Sequence, residues 1–179
     1  MLCQNSNGSY ASWDLAGNAI IGGGNIGAAA GYSFVAAGDM NGDGKADILF
    51  QDASGNYASW LLDDTAIIGG GSIGNPGAGW TFKGLADFNG DGKADILFQN
   101  GSGVYASWDL DGASIIGGGT IGNPGGSFQL AKIADVNGDG KADLVFEDAS
   151  GNYAAWLIDD THILQGATLG NAATAWHMV

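Results

Sequence analysis

Asp39, Asn41, Asp43 and Asp47 place side-chain oxygens at positions 1, 3, 5 and 9 of a nine-residue segment, DMNGDGKAD. Lys45 at position 7 can add its backbone carbonyl, and Gly44 at position 6 permits the sharp turn that wraps such a segment around an ion. An all-oxygen donor set suits a hard divalent cation, and this is a Ca2+ loop pattern. It recurs as DFNGDGKAD, with Asp87, Asn89, Asp91, Lys93 and Asp95, and as DVNGDGKAD, with Asp135, Asn137, Asp139, Lys141 and Asp143. Asn, Asp and Gly are common turn formers without any metal, but three copies that keep every donor predict three Ca2+ sites. An EF-hand is excluded because position 12 is Phe50, Phe98 or Phe146 instead of a bidentate Glu, and the flanks read as strands.

The loops recur 48 residues apart, and the pieces between them fall into register. An aromatic run precedes each loop: Tyr32-Ser-Phe34, Trp80-Thr-Phe82 and Phe128-Gln-Leu130, with Trp176-His-Met178 continuing the series. Ile48-Leu49-Phe50, Ile96-Leu97-Phe98 and Leu144-Val145-Phe146 follow the loops, and Met1-Leu2-Cys3 matches them. A third run begins at Tyr10, Tyr57, Tyr105 or Tyr153 and ends on Trp13, Trp60, Trp108 or Trp156. A fourth holds Ile20-Ile21, Ile67-Ile68, Ile115-Ile116 or Ile163-Leu164. Four short strands per unit, tight turns and no helical period predict an all-β chain. A repeat of this length predicts a β-propeller of four four-stranded blades. The whole chain, 1–179, reads as one domain of four repeats of about 48 residues, the first blade split between the two ends. Pairing of Ala175–Val179 with Met1–Gln4 would close the ring at the place of an absent fourth loop and remove exposed strand edges. Half of a larger or dimeric propeller is the alternative, so the chain is expected as a monomer or a homodimer.

The formal net charge is −14, with five Lys and no Arg, which repels nucleic acid and anionic membrane surfaces. Nine of the 19 acidic residues lie in the three loops, so much of the charge is concentrated where the cations would sit. Cys3 is the single cysteine, so no intrachain disulfide forms and no Cys/His zinc pattern exists. No apolar run is long enough to span a bilayer as a helix, and MLCQNSNGSY lacks the basic and apolar segments of a secretion signal.

Through these loops and the apolar strands behind them, the chain resembles the FG-GAP/VCBS repeat family of calcium-binding β-propeller proteins. The resemblance implies that each loop joins strands 1 and 2 of a blade, with Phe34, Phe82 and Leu130 on the innermost strands. It also implies an extracellular or cell-surface setting. The literal Phe-Gly and Gly-Ala-Pro words of the family are absent, so integrin-like ligand recognition does not carry over.

With the loop carboxylates committed to metal, Asp63, Asp64, Asp159 and Asp160 remain, at hairpin turns where solvation is the expected role. His162 and His177 have no partner at a catalytic spacing. The chain therefore does not read as an enzyme, and a glycan-active hydrolase is the remote alternative. The Gly22–Gly24, Gly69–Gly71 and Gly117–Gly119 triplets lack the Lys-Ser/Thr of a phosphate loop and read as exits of the outer strands. Tyr and Trp three apart on a strand face opposite sides. Trp13, Trp60, Trp108 and Trp156 thus either pack between blades or present edges on which sugar rings stack. The expected function is a calcium-binding, non-catalytic extracellular binding module, carbohydrate-binding or adhesive, whose partners are glycan or extracellular protein. The alternative is a calcium-stabilised scaffold with no other ligand.

Overall fold

The computed structural model describes residues 1–172, and every regular element in them is a strand. The expected pairing of Ala175–Val179 with the N-terminal strand, and the Trp176–Met178 run, lie outside the described residues.

Fifteen strands form four antiparallel meanders. The first sheet holds β1 (Leu2–Gln4), β2 (Ser9–Ala16) and β3 (Ala19–Ala28). The second holds β4 (Tyr32–Gly38), β5 (Asp47–Asp52), β6 (Tyr57–Asp63) and β7 (Ala66–Gly74). The third holds β8 (Trp80–Ala86), β9 (Asp95–Asn100), β10 (Tyr105–Asp111) and β11 (Ser114–Gly122). The fourth holds β12 (Phe128–Ala134), β13 (Asp143–Asp148), β14 (Asn152–Asp159) and β15 (His162–Asn171). Each four-stranded meander has the form of a propeller blade. The described residues group into two compact units: Met1–Gly77 with Gly112–Ser114, and Ala78–Asp111 with the described residues from Ile115.

Burial explains the sequence of each strand. β5, β9 and β13 are covered on both faces, so they run apolar without alternation; Ile48, Leu49 and Phe50 are at most 1% exposed. Within each unit the Tyr of one sheet packs on the aromatic face of the next. In the first unit Tyr10 packs edge-on against Phe50 (5.3 Å between centroids) and Trp60 (6.2 Å). In the second unit Tyr105 packs edge-on against Phe146 (5.5 Å), and Leu144, Ile158, Leu97 and Phe88 complete the cluster. Fully burying one such ring contributes about 1.5–3 kcal/mol.

The tight turns need one residue in the left-handed region. Gly17 and Gly112 occupy it in the first and third sheets, and Asp64 (φ 57°) and Asp160 (φ 58°) occupy it in the second and fourth. Asp tolerates this conformation better than most residues with a Cβ.

The glycine triplets are not exits. They lie inside β3, β7 and β11, and just before them in β3 and β7 the register slips by one residue: Ile21 and Ile68 are the extra residues between Asp14/Leu15 and Leu61/Leu62. A second slip leaves Ile26 and Ile73 unpaired nearer the far ends, and Leu164 and Leu169 repeat both in β15. Beside the slip the partner backbone comes close and requires a glycine: at Gly70 (φ 112°) a Cβ would stand 2.2 Å from the Ser59 carbonyl oxygen. Two bulges per outer strand also bend the edge away from a straight pairing geometry.

Candidate metal centre

Each loop leaves one edge strand and enters the buried middle strand of its sheet, so its two ends are pinned by β4/β5, β8/β9 or β12/β13 pairing. Strands on both sides confirm the distinction from an EF-hand. A one-residue slip in the first strand, at Phe34/Ala36, Phe82/Gly84 and Leu130/Lys132, precedes each loop. The small residues after it fit a crowded neighbourhood. A Cβ on Gly84 would stand 2.4 Å from Ile133 Cδ1.

Position 1 organises the turn. Asp39 Oδ1 accepts from the Gly42 N–H (2.7 Å) and the Asp43 N–H (3.2 Å), and Oδ2 from the Gly44 N–H (2.7 Å). Asp87 and Asp135 repeat the bonds to the residues three and five further on. At Asp135 these backbone donors, the Gly140 N–H foremost, hold the carboxyl below its ordinary range. Position 3 accepts the N–H of position 5, and position 5 the N–H of position 7: Asn41 from Asp43 (3.0 Å), Asp43 from Lys45 (2.9 Å). The loop thus closes on its own backbone.

Position 9 points into the sheet. Asp47, Asp95 and Asp143 are 0% exposed. Asp47 Oδ2 accepts from the Met40 N–H (2.9 Å) and Oδ1 from the Leu62 N–H (2.8 Å) of β6. Asp95 repeats this with Phe88 and Leu110, and Asp143 with Val136 and Ile158. One carboxylate therefore joins loop, middle strand and third strand. Burial pushes Asp47 up despite these donors, and pushes Asp95 up to about 7, with the Asp109 and Asp91 charges adding to it.

Among the described residues no three Asp, Glu, His or Cys side chains converge as a ready metal cluster. The donor set of a loop is a mixture of carboxylate, amide and backbone carbonyl, and all of it is oxygen. Each carboxylate oxygen has two lone pairs; the N–H bonds use both on Asp39 Oδ1 and Asp135 Oδ1 but one on their Oδ2, so the bonds orient the carboxylates and leave acceptor capacity. By donor chemistry the residues fit Ca2+.

The lysine side chains at position 7 take a role that the sequence did not show. Lys45 pairs with Asp63 (2.6 Å), Lys93 with Asp111 (3.0 Å) and Lys141 with Asp159. Asp63 and Asp159, read from sequence as merely solvated, thus pair with loop lysines, and the side-chain hydrogen bond raises each lysine above its ordinary range. The partners lie 18 residues apart on different turns in every unit, a separation that no strand or helix period links.

Trp13 is 45% exposed, whereas Trp60, Trp108 and Trp156 are half-buried and pack edge-on against Phe50, Phe98 and Phe146 at 4.8–4.9 Å. Trp60 reaches over Gly27 of the first sheet, and Trp156 over Gly122 of the third, where a Cβ would stand 3.5 and 3.3 Å from the ring. An open groove of about 500 Å3 runs beside Trp60, lined also by Tyr32, Ile67 and Gly70.

A buried acid pair went unnoticed in the sequence. Asp109, 4% exposed in β10, is hydrogen-bonded to Asp160 on the β14–β15 turn, and Asp160 Oδ1 is buried with no donor. Burial first, then the Asp160 charge, pushes Asp109 up to about 6. Sequence equivalents of Asp109 are Asp14, Leu61 and Leu157, so the position alternates along the chain.

Residues 87–146, spanning the second loop, β9 to β12, the third loop and the start of β13, match the model of the FG-GAP-like repeat family. No curated protein sequence matches the chain.

Proposed function

From a chain that carries an FG-GAP-like repeat, we propose a calcium-binding, non-catalytic module of an extracellular or cell-surface protein that binds carbohydrate. The observation that carries the calcium part is the repeated position-1 geometry, in which Asp39, Asp87 and Asp135 are each held by backbone N–H groups within the loop. Such bonds fix the carboxylates before any ion arrives, so binding pays little ordering entropy. Asp39, Asn41, Asp43, the Lys45 carbonyl and Asp47 would hold the first ion, Asp87 to Asp95 the second and Asp135 to Asp143 the third. The bound charge offsets the mutual repulsion of three carboxylates per loop.

Affinities on the order of 10⁻⁴–10⁻³ M, as in other extracellular modules, match a calcium-rich exterior. At ten times Kd each site adds about 1.4 kcal/mol, or about 3–6 °C in Tm. Isothermal calorimetry should count three Ca2+ per chain, and EDTA should lower the melting temperature correspondingly. No uptake together with an unchanged melt refutes the calcium reading.

The carbohydrate part is supported by the exposure of Trp13 and by the groove beside Trp60. A glycan array with and without Ca2+ tests it. The packing of Trp60 and Trp156 over Gly27 and Gly122 favours the second reading, a scaffold whose only ligand is calcium. A blank array with tryptophan fluorescence indifferent to sugars selects that second reading.

A further inference from the structure

In the second and fourth sheets the hairpin between the second and third strands follows one plan, and the third sheet departs from it. In the second sheet Asp52 Oδ1 accepts from the Ser54 and Asn56 N–H groups, while Asn56 Nδ2 donates to Asp52 Oδ2 (2.7 Å). Asn75, on the segment after β7, then locks the turn from outside, donating to the Ser54 carbonyl (2.9 Å) and to Asn56 Oδ1 (3.1 Å). The fourth sheet repeats every bond with Asp148, Asn152 and Asn171. The charge on Asp52 and Asp148 is tied up, and the Asn56 and Asn152 side chains are used at both ends.

In the third sheet two of these residues change. Asn100 stands where the second and fourth sheets have Asp, as Asn5 does in the first, and Val104 stands where the second and fourth have Asn and the first has Ser9. Asn100 Oδ1 still accepts from the Ser102 and Val104 N–H groups (3.0 Å each), and Asn123 still donates to the Ser102 carbonyl (2.7 Å). Val104 has no amide to offer, so among the described residues Asn100 Nδ2 has no partner, and Asn123 lacks the second acceptor that Asn75 and Asn171 have. The outcome is a pair of released amide donors in place of a closed lock.

Both donors border a groove of about 310 Å3. Gln99 and Gln129 add two more amides, Ser102 a hydroxyl and Phe128 a half-buried ring, and among the described residues no ionisable side chain lines it. Amides offer adjacent donors and acceptors, the pattern that pairs with vicinal hydroxyls. The ring offers an apolar wall for the C–H face of a sugar. A wall without charge discriminates against anions and cations, because either would lose its hydration without a counter-charge. We propose that this groove is a binding site for a neutral polyhydroxyl ligand of hexopyranose size. The proposal rests on the carbohydrate reading above and assigns it a place.

The test is a titration of the full chain, in Ca2+, with D-glucose, D-galactose, D-mannose and N-acetylglucosamine, followed by 15N–1H NMR of the side-chain amides and indoles. The expected result is that at least one sugar shifts the Asn100, Asn123, Gln99 and Gln129 amides together. The double substitution Asn100→Asp with Val104→Asn rebuilds the hairpin that the second and fourth sheets already fold. It should weaken that sugar about fivefold to tenfold or more, as loss of a neutral hydrogen bond does. Gln129→Ala, at an exposed position, should weaken it similarly. Sugar binding that shifts only tryptophan indoles, or that survives both variants unchanged, overturns this site and leaves the carbohydrate reading standing. No response to any sugar at any resonance, with a blank glycan array, overturns both.

Discussion

Replacing Asp109 by Asn should make the protein more stable above pH 6, against the usual expectation for a buried substitution. Asp109 is 4% exposed and faces Asp160, so with both ionised the two carboxylates repel and Asp160 Oδ1 has no donor. Its folded pKa is about 6, against about 3.9 in the unfolded chain. Below about pH 4 both states are protonated, and the pair is held by the shared proton. As pH rises from about 4 to about 6 the unfolded chain releases that proton first, so stability falls by about 1.4 kcal/mol per unit. Above pH 6 the loss is complete, at about 2–3 kcal/mol. The amide of Asp109→Asn never ionises, keeps the shape, and can donate to Asp160 Oδ1. A gain of about 2 kcal/mol at pH 7–8 corresponds to roughly 4–8 °C in Tm for a chain of this size. Thermal melts in Ca2+ between pH 4 and pH 8 measure it, with Asp109→Leu as comparator. Leu is what the second and fourth sheets carry at this place, but against Asp160 it would leave the carboxylate without any donor. A variant Asp109→Asn that is less stable than the parent at pH 8, or whose melts fall just as steeply from pH 4 to 6, refutes the reasoning.

The other outcomes are simpler to read. Asp47→Asn keeps the side-chain volume but can accept only one of the Met40 and Leu62 N–H groups, so chemical denaturation should show a loss of about 1–3 kcal/mol even in EDTA. An EDTA-treated variant as stable as its EDTA-treated parent would show that the position matters only through metal. Gly70→Ala places a methyl group against the Ser59 backbone oxygen at a φ of 112°, which no side-chain rotation relieves. It should cost about 2 kcal/mol or more by the same assay, whereas Ala at Gly125, where nothing lies within 4 Å, pays only for its backbone angle.

Much of the architecture was legible because the causes are local. The Ile48-Leu49-Phe50 run and its equivalents are buried on both faces and the Tyr/Trp runs on alternating ones, so strand identity follows from residue type. The metal loops were legible because oxygen donors at fixed spacing leave few other readings. What escaped depends on partners distant in sequence. Gly69–Gly71 reads as a break, yet the strand runs through it because the Ser59 backbone leaves no room for a Cβ at Gly70, and only the register with Ser59 and Trp60 reveals that. Asp47 reads as a ligand, but its bonds run to the backbone N–H groups of Met40 and Leu62, which carry no side-chain signature. The lysine–aspartate pairs recur with the 48-residue period, but only the fold shows that side chains 18 residues apart touch, and the Asp109–Asp160 contact joins a strand to a turn of the next sheet.

The alternation of Asp14, Leu61, Asp109 and Leu157 has a consequence for assembly. Repeats so alike in sequence are prone to dock in the wrong order or to exchange between chains during folding. Leu61 lies against Gly112, where a Cβ would stand 3.0 Å from its Cδ1, whereas Asp109 lies against Asp160. A mispairing that set Leu61 against an Asp-Asp turn would strand a carboxylate on hydrocarbon, and one that set Asp109 against Gly112 would leave an acid with no proton-sharing partner. The two kinds of contact thus label the repeats as odd and even, a parity check that penalises docking displaced by one repeat.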